Sequence, residues 1–129
     1  GFEAFVREFF SAGQAAAQAI QTLQATGFAG RLVVVGEEPY VPYERPPLSK
    51  AYLAGELPEE KLYLKKPDYF AEKNIDLRLN TMVTGLDPAA HRVTLSDGQT
   101  LAYNQLLLAT GSRVRKLAIP GADLKGVHY

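Results

Sequence analysis

The run Arg31-Leu32-Val33-Val34-Val35-Gly36 most restricts the fold open to this chain. Its apolar, largely β-branched residues follow one another without alternation, so a strand made from them is covered on both faces, the habit of parallel sheets flanked by other layers. Just ahead of it, Ala12 to Thr26 is rich in Ala and Gln, with Ala16, Ile20 and Leu23 at helical spacing and Gly27 placed as a helix stop. A helix leading into a strand buried on both sides is half of a βαβ unit. The stretch before it reads two ways. Phe2, Phe5, Val6, Phe9, Gly13, Ala16, Ile20 and Leu23 fall at helical spacing, and on that pattern alone Phe2 to Thr26 is one amphipathic helix. A parallel sheet nevertheless needs a central partner for Arg31–Val35. We therefore read Phe5-Val6-Arg7-Glu8-Phe9-Phe10 as a first strand, although Arg7 and Glu8 then bring charge into the sheet and Ser11 follows directly.

Beyond Gly36 the texture changes. Glu37 to Pro47 holds four prolines and is read as an irregular loop. Leu48 to Leu53 is predicted as a short helix, with Pro47 in its first turn, and Pro67 to Asn74 as another, with Tyr69, Phe70 and Ile75 turned inward. From Leu77 onward, short apolar segments are divided by Asp87-Pro88 and by Ser96-Asp97-Gly98-Gln99, which predicts an antiparallel meander through Arg92–Leu95 and Thr100–Tyr103. Gln105 to Leu108 is again a buried-strand pattern, closed by Ala109-Thr110-Gly111. The fold class that accommodates this order is α/β, a Rossmann-like parallel sheet interrupted by a small antiparallel β-meander insertion.

Composition narrows the chemistry. Fourteen basic and fourteen acidic residues cancel, so nothing favours nucleic acid as a partner. The absence of cysteine excludes disulfides, thiolate metal sites, protein-ligated iron–sulfur clusters and a redox-active cysteine pair within these 129 residues. The two histidines, His91 and His128, are far apart and read as surface residues, so no metal site is expected. No apolar run approaches the roughly 18 residues of a membrane span, and the charged N-terminus does not resemble a signal peptide, which makes the cytoplasm the expected location.

A dinucleotide site asks its first βα turn for one glycine to make the bend, a second to let backbone N–H groups approach the pyrophosphate, and a small third residue for helix–strand packing. In Ser11-Ala12-Gly13-Gln14-Ala15-Ala16, Gly13 suits the second role and Ala16 the third, while Ser11 stands where the first glycine belongs. An acid about 20 residues on should accept hydrogen bonds from ribose hydroxyls, and Glu37 is in place. Read separately, Gly13 serves equally well as a helix packing contact and Glu37 as a solvated carboxylate.

Pro39-Tyr40-Val41-Pro42-Tyr43-Glu44-Arg45-Pro46-Pro47-Leu48-Ser49-Lys50 is the most informative segment. Its prolines stiffen the loop that carries Arg45 and Lys50, and an arginine can fork onto phosphate oxygens. A polyproline linker with surface tyrosines is the bland alternative. Taken with Val35-Gly36-Glu37-Glu38-Pro39, Ala51-Tyr52-Leu53-Ala54-Gly55, Val93 to Gly98, Leu107 to Arg113 and the closing Pro120 to Leu124, this block resembles the FAD domain of the oxygenase-coupled NAD(P)H-dependent ferredoxin reductases. That family belongs to the pyridine nucleotide-disulfide oxidoreductase superfamily. The resemblance runs from Gly13 nearly to the end.

The resemblance implies residue roles. Gly13, Ala15 and Ala16 would form the phosphate turn, and Glu37 would hold the adenosine ribose. Arg45 and Lys50 would lie along the pyrophosphate and flavin, with Lys50 nearest the isoalloxazine ring and so the candidate catalytic residue. Val83 would meet the adenine through its backbone, and Thr110-Gly111 would make a second close approach. FAD is the implied cofactor, NAD(P)H the electron donor and a [2Fe–2S] ferredoxin the acceptor. Residues 1–129 are then expected to be an FAD-binding N-terminal fragment, because no second glycine-rich turn or C-terminal domain follows. The rival expectations are a catalytically inactive truncated flavoprotein that acts only as a binding or structural module, and an NAD-binding Rossmann dehydrogenase that uses Gly13 and Glu37.

Overall fold

A computed structural model describes the backbone of residues 3–7 and the whole of residues 13–129. Among these residues the order is β1 (Glu3–Arg7), α1 (Gln14–Ala25), β2 (Arg31–Val35), two single 3₁₀ turns (Pro46–Ser49 and Glu59–Lys61), α2 (Pro67–Glu72), β3 (Ile75–Arg78), β4 (Val83–Asp87), β5 (Arg92–Leu95), β6 (Thr100–Ala102) and β7 (Gln105–Leu108). Four strands make a parallel sheet in the order β3-β2-β1-β7, and β4-β5-β6 form an antiparallel sheet. This is the α/β architecture anticipated from the sequence.

Between the two readings of the N-terminal stretch, the strand holds over Glu3–Arg7. Arg7 closes that strand, aligned with Val35 on one side and Leu108 on the other, so it lies at the carboxyl edge of the sheet rather than in its middle. Glu8, Phe9, Phe10 and Ser11 lie outside the described residues.

Within Arg31–Val35, Leu32 to Val35 are buried, on both faces of the strand. Leu32 and Val34 pack with Ala16 and Ile20 of α1, Phe70 of α2, Ile75 and Val41, while Val33 and Val35 face Val83, Val93 and Leu95 of the small sheet. Period-two alternation sends successive residues to opposite layers, and both layers here are apolar. The β insertion is thus the second cover of the parallel sheet. Helix α1 stops as its sequence signals. Gly27 takes φ +75°, its N–H bonds to Gln24 O, and the Phe28 N–H reaches back to Leu23 O, a Schellman arrangement sealed by Phe28 and Leu23 against the core.

Three sequence expectations need correction. The meander begins at Val83, not Leu77, because Ile75–Arg78 is the third parallel strand. Asn74, at φ 54°, ends the α2 segment in one residue and turns the chain straight into β3, whose Ile75 and Leu77 then pack on the α1 side of the sheet. The helix expected over Leu48–Leu53 is a 3₁₀ turn over Pro46–Ser49 followed by further turns, since Pro46 and Pro47 can start such a turn and Leu53 finds nothing to bury against. The last meander strand ends at Ala102, one residue short of Tyr103, whose ring stacks on the exposed His91 instead. Among the described residues no helix is long and apolar enough to cross a membrane.

Candidate functional site

All four parallel strands point their carboxyl ends to one edge. On the way from β1 the chain passes through α1 to β2 on one side, whereas β7 joins β1 from the other, so the strand order reverses between β1 and β7. Loops leaving such a reversal diverge and open a crevice. A cleft of about 1050 Å³ lies there, walled by Gly13, Gln14 and Ala15 at the head of α1, by Tyr43, Arg45 and Pro46, and by the segment from Leu108 to Val114, with Lys116 and Tyr129 closing it.

Each wall has a local cause. Among the described residues the first backbone bond of α1 is the Ala17 N–H to Gly13 O, so the N–H groups of Gln14 and Ala15, in the first turn at the mouth of the cleft, find no acceptor there. Ala16 is wholly buried under α1, where its methyl lets helix and sheet approach. Across the cleft, β7 ends at Leu108 and Gly111 adopts φ +63°, a left-handed conformation that a side chain would strain. The proline-rich loop is tied down by two bonds, Glu44 N–H to Leu62 O and Leu64 N–H to Pro42 O. It presents Arg45, whose guanidinium lies 5.2 Å from the centre of the Tyr43 ring and 2.8 Å from Glu38 Oε1, while the Tyr43 hydroxyl donates to Glu38 Oε2 at 2.7 Å.

Three cations line the cleft although the chain is neutral. Among the described residues Arg45, Arg113 and Lys116 border it and no Asp or Glu does, while Glu38 pairs with Arg45 from outside the lining. Oriented N–H groups and convergent cations suit an anion, and phosphate is the group that needs both.

Of the residues singled out from sequence, the fold brings Gly13, Ala15, Arg45, Thr110 and Gly111 together on this cleft. Glu37 stands just beyond the carboxyl end of β2, one strand from the turn after β1, and its Oε2 is buried without a hydrogen-bond partner among the described residues. An orphaned buried carboxylate oxygen is costly and calls for a donor. Val83 is buried at the start of β4, two residues after Thr81, whose N–H binds Gly36 O beside Glu37. Lys50 is exposed at the end of the 3₁₀ turn that Pro46 begins, and it does not line the cleft. Gln14, Tyr43, Ser112, Arg113, Lys116 and Tyr129 are lining residues that the sequence reading did not pick out. For Arg113 and Lys116 a signal existed, namely the cationic run directly after Thr110-Gly111-Ser112. Tyr129 is held at the cleft by a long-range contact, accepting the Leu117 N–H at 3.2 Å, and no local pattern announces it.

The sequence model of the pyridine nucleotide-disulphide oxidoreductase family matches residues 12–129. The chain is 47% identical over 117 residues to rhodocoxin reductase of Rhodococcus erythropolis, covering 91% of this chain and 27% of that protein. Its fold superposes on putidaredoxin reductase in the crystal structure of its covalent complex with putidaredoxin, with TM-score 0.86, 39% identity, and 94% of this chain against 28% of that one. It also superposes on the ferredoxin reductase of the CYP199A2 system from Rhodopseudomonas palustris, with TM-score 0.87, 31% identity, and 98% against 30%. The chain thus spans well under a third of the relatives it matches. With a parallel sheet, a switch-point cleft and a family match that begins just before Gly13 and runs to Tyr129, the chain belongs to the pyridine nucleotide-disulphide oxidoreductase family.

Proposed function

We propose that these 129 residues are the FAD-binding part of a ferredoxin reductase that passes electrons from NAD(P)H to a [2Fe–2S] ferredoxin in the cytoplasm. The observation that carries the reading is the cleft itself. The head of α1, a glycine turn and three cations meet where the parallel sheet reverses order, with the buried carboxylate oxygen of Glu37 one strand away. Those features match the parts of a dinucleotide in sequence. The α1 head, with Gly13 and Ala15, takes the pyrophosphate, and Ala16 sets the approach of helix to sheet. Arg45, with Arg113 and Lys116, neutralises phosphate charge. Glu37 accepts from ribose hydroxyls, which supplies the donors its buried oxygen lacks, and the Val83 backbone borders the adenine. Thr110 and Gly111 bring backbone close to the cofactor, in a turn that Gly111 makes at φ +63°.

Bound there, a flavin supplies the exchange between a two-electron donor and a one-electron acceptor. The residues of this chain bind and orient it, and Lys50, one turn past Pro46, is the side chain assigned to the ring end. The chain's coverage of its relatives, 27% to 30%, favours binding by these residues and turnover only within a longer protein. Titrating FAD into the purified chain and following flavin fluorescence tests this. Saturable quenching at micromolar protein, with no competition from equimolar NAD, is the expected result. Binding of NAD but not FAD would overturn it in favour of a nicotinamide-nucleotide domain.

A further inference from the structure

A second concavity lies beneath the proline-rich loop and shares only Tyr43 with the cleft. It measures about 220 Å³ and is lined by Tyr40, Tyr43, Tyr52 and Tyr63, by Glu59, and by Leu48 and Leu62. Four of the chain's seven tyrosines therefore meet in one small hollow.

The packing has a clear origin. Residues 42–44 and 62–64 lie antiparallel, bridged at Tyr43 and Tyr63 and locked by the two backbone bonds already described. Tyr40 and Tyr43 stand edge to face, 6.3 Å apart at 86°, so two walls meet at a right angle. The Tyr63 hydroxyl donates to Glu59 Oε1 at 2.6 Å, while Glu59 Oε2 accepts no bond from the described residues. That hydrogen bond, then burial, then the Glu59 charge push the Tyr63 phenol up to about 12. Among the described residues no lysine or arginine lines the hollow. Tyr43 already carries the Arg45 guanidinium, which reaches it from the cleft, so these rings sit where a cation is favoured.

We propose that this hollow is an aromatic cage for a small alkylammonium ion, a soluble quaternary or tertiary amine, held by the ring faces of Tyr40, Tyr52 and Tyr63 and by the Glu59 carboxylate. Ring quadrupoles attract a cation most when it is weakly hydrated, and alkylation removes the N–H groups that would keep it in water. The volume is below the roughly 300–1,000 Å³ of drug-sized sites, which excludes a nucleotide and suits a head group of a few heavy atoms. Leu48 and Leu62 provide the apolar lining that alkyl groups need.

The test uses the intact chain, whose lack of tryptophan leaves tyrosine as its only strong fluorophore. Choline is titrated against backbone amide shifts and tyrosine emission, beside 3,3-dimethylbutanol, its neutral isostere. Saturable shifts confined to residues 40–63, with the neutral isostere about tenfold weaker, are expected. Tyr40→Leu and Tyr52→Leu, both at partly exposed rings, should each weaken choline by several-fold with an unchanged circular dichroism spectrum. Equal affinity for the neutral isostere, or no saturation with choline, would overturn the proposal. Should either variant lose its fold, the isostere comparison on the unaltered chain decides alone.

Discussion

β2 and β7 carry nearly the same sequence signal, Leu-Val-Val-Val and Leu-Leu-Leu, and the fold treats them differently. β2 has a parallel neighbour on each side, and four of its five residues are buried between two apolar layers. Among the described residues β7 pairs only with β1, and its Leu107 and Leu108 stay 44% and 50% exposed. An apolar run states that a strand is hydrophobic, while its place in the sheet decides how much of that it can bury. The division also sorts roles. β2 supplies rigidity and one poised carboxylate, Glu37, whereas the end of β7 supplies the turn of Thr110 and Gly111 that walls the cleft. Cores stabilise and the loops they hold in place bind.

The sharpest way to break this contrast is truncation. Leu32→Ala in β2 should cost ~2–5 kcal/mol in urea unfolding, the range for emptying a packed aliphatic site. Leu107→Ala in β7 should cost under about 1 kcal/mol, because half-exposed surface loses little on removal. Equal costs would mean that β7 is covered and the contrast false.

Smaller effects separate binding from stability. Gly111→Ala meets no neighbour within 4 Å, so only its left-handed backbone resists, by ~1–2 kcal/mol, and FAD binding should weaken together with stability. Glu37→Gln should divide the two. The altered side chain loses an acceptor for ribose hydroxyls, and FAD affinity should fall about tenfold, or ~1.4 kcal/mol. Without FAD, stability should hold or rise, since a buried unpaired carboxylate oxygen is removed. A fall in both would assign Glu37 a structural role.

The smallest effect concerns the tie between the layers. Asp76 on β3 accepts from Arg31 at 3.0 Å and Arg78 at 3.1 Å, and Arg78 in turn reaches Gln99 in the turn between β5 and β6. The Arg78 hydrogen bond, aided by Arg31, holds the Asp76 carboxyl below its ordinary 3.8 despite some burial. Its contribution is therefore present at neutral pH, and it is lost only as pH falls below the ordinary carboxylate value and through the depressed one. Asp76→Asn should cost under about 1 kcal/mol at pH 7 and flatten that part of the acid limb in pH-dependent urea midpoints.

Local signals were legible from sequence where one or two residues decide the backbone. Gly27 ends α1, and in the turn after β5 Gly98 takes φ +83° while Asp97 accepts the Gln99 N–H, as Ser96-Asp97-Gly98-Gln99 foretold. The assignment of Leu77 to the meander failed because its partner, Val34, lies 43 positions away and nothing local names it. The site divided along the same line. Gly13, Glu37, Arg45 and Thr110-Gly111 sit in readable motifs, while Tyr129 reaches the cleft through tertiary folding. Lys50, read from its motif as lying beside the flavin, is exposed at the end of the Pro46–Ser49 turn and does not line the cleft, so its place at the ring end rests on the motif.

Mapping FAD onto the backbone amides of the chain by heteronuclear NMR tests the central claim most directly. Shifts concentrated at Gly13–Ala15, Glu37 and Thr110–Arg113, saturating at one flavin per chain, are the expected outcome. Unmoved amides at Gly13–Ala15 and Gly111 in the presence of saturating FAD would contradict it.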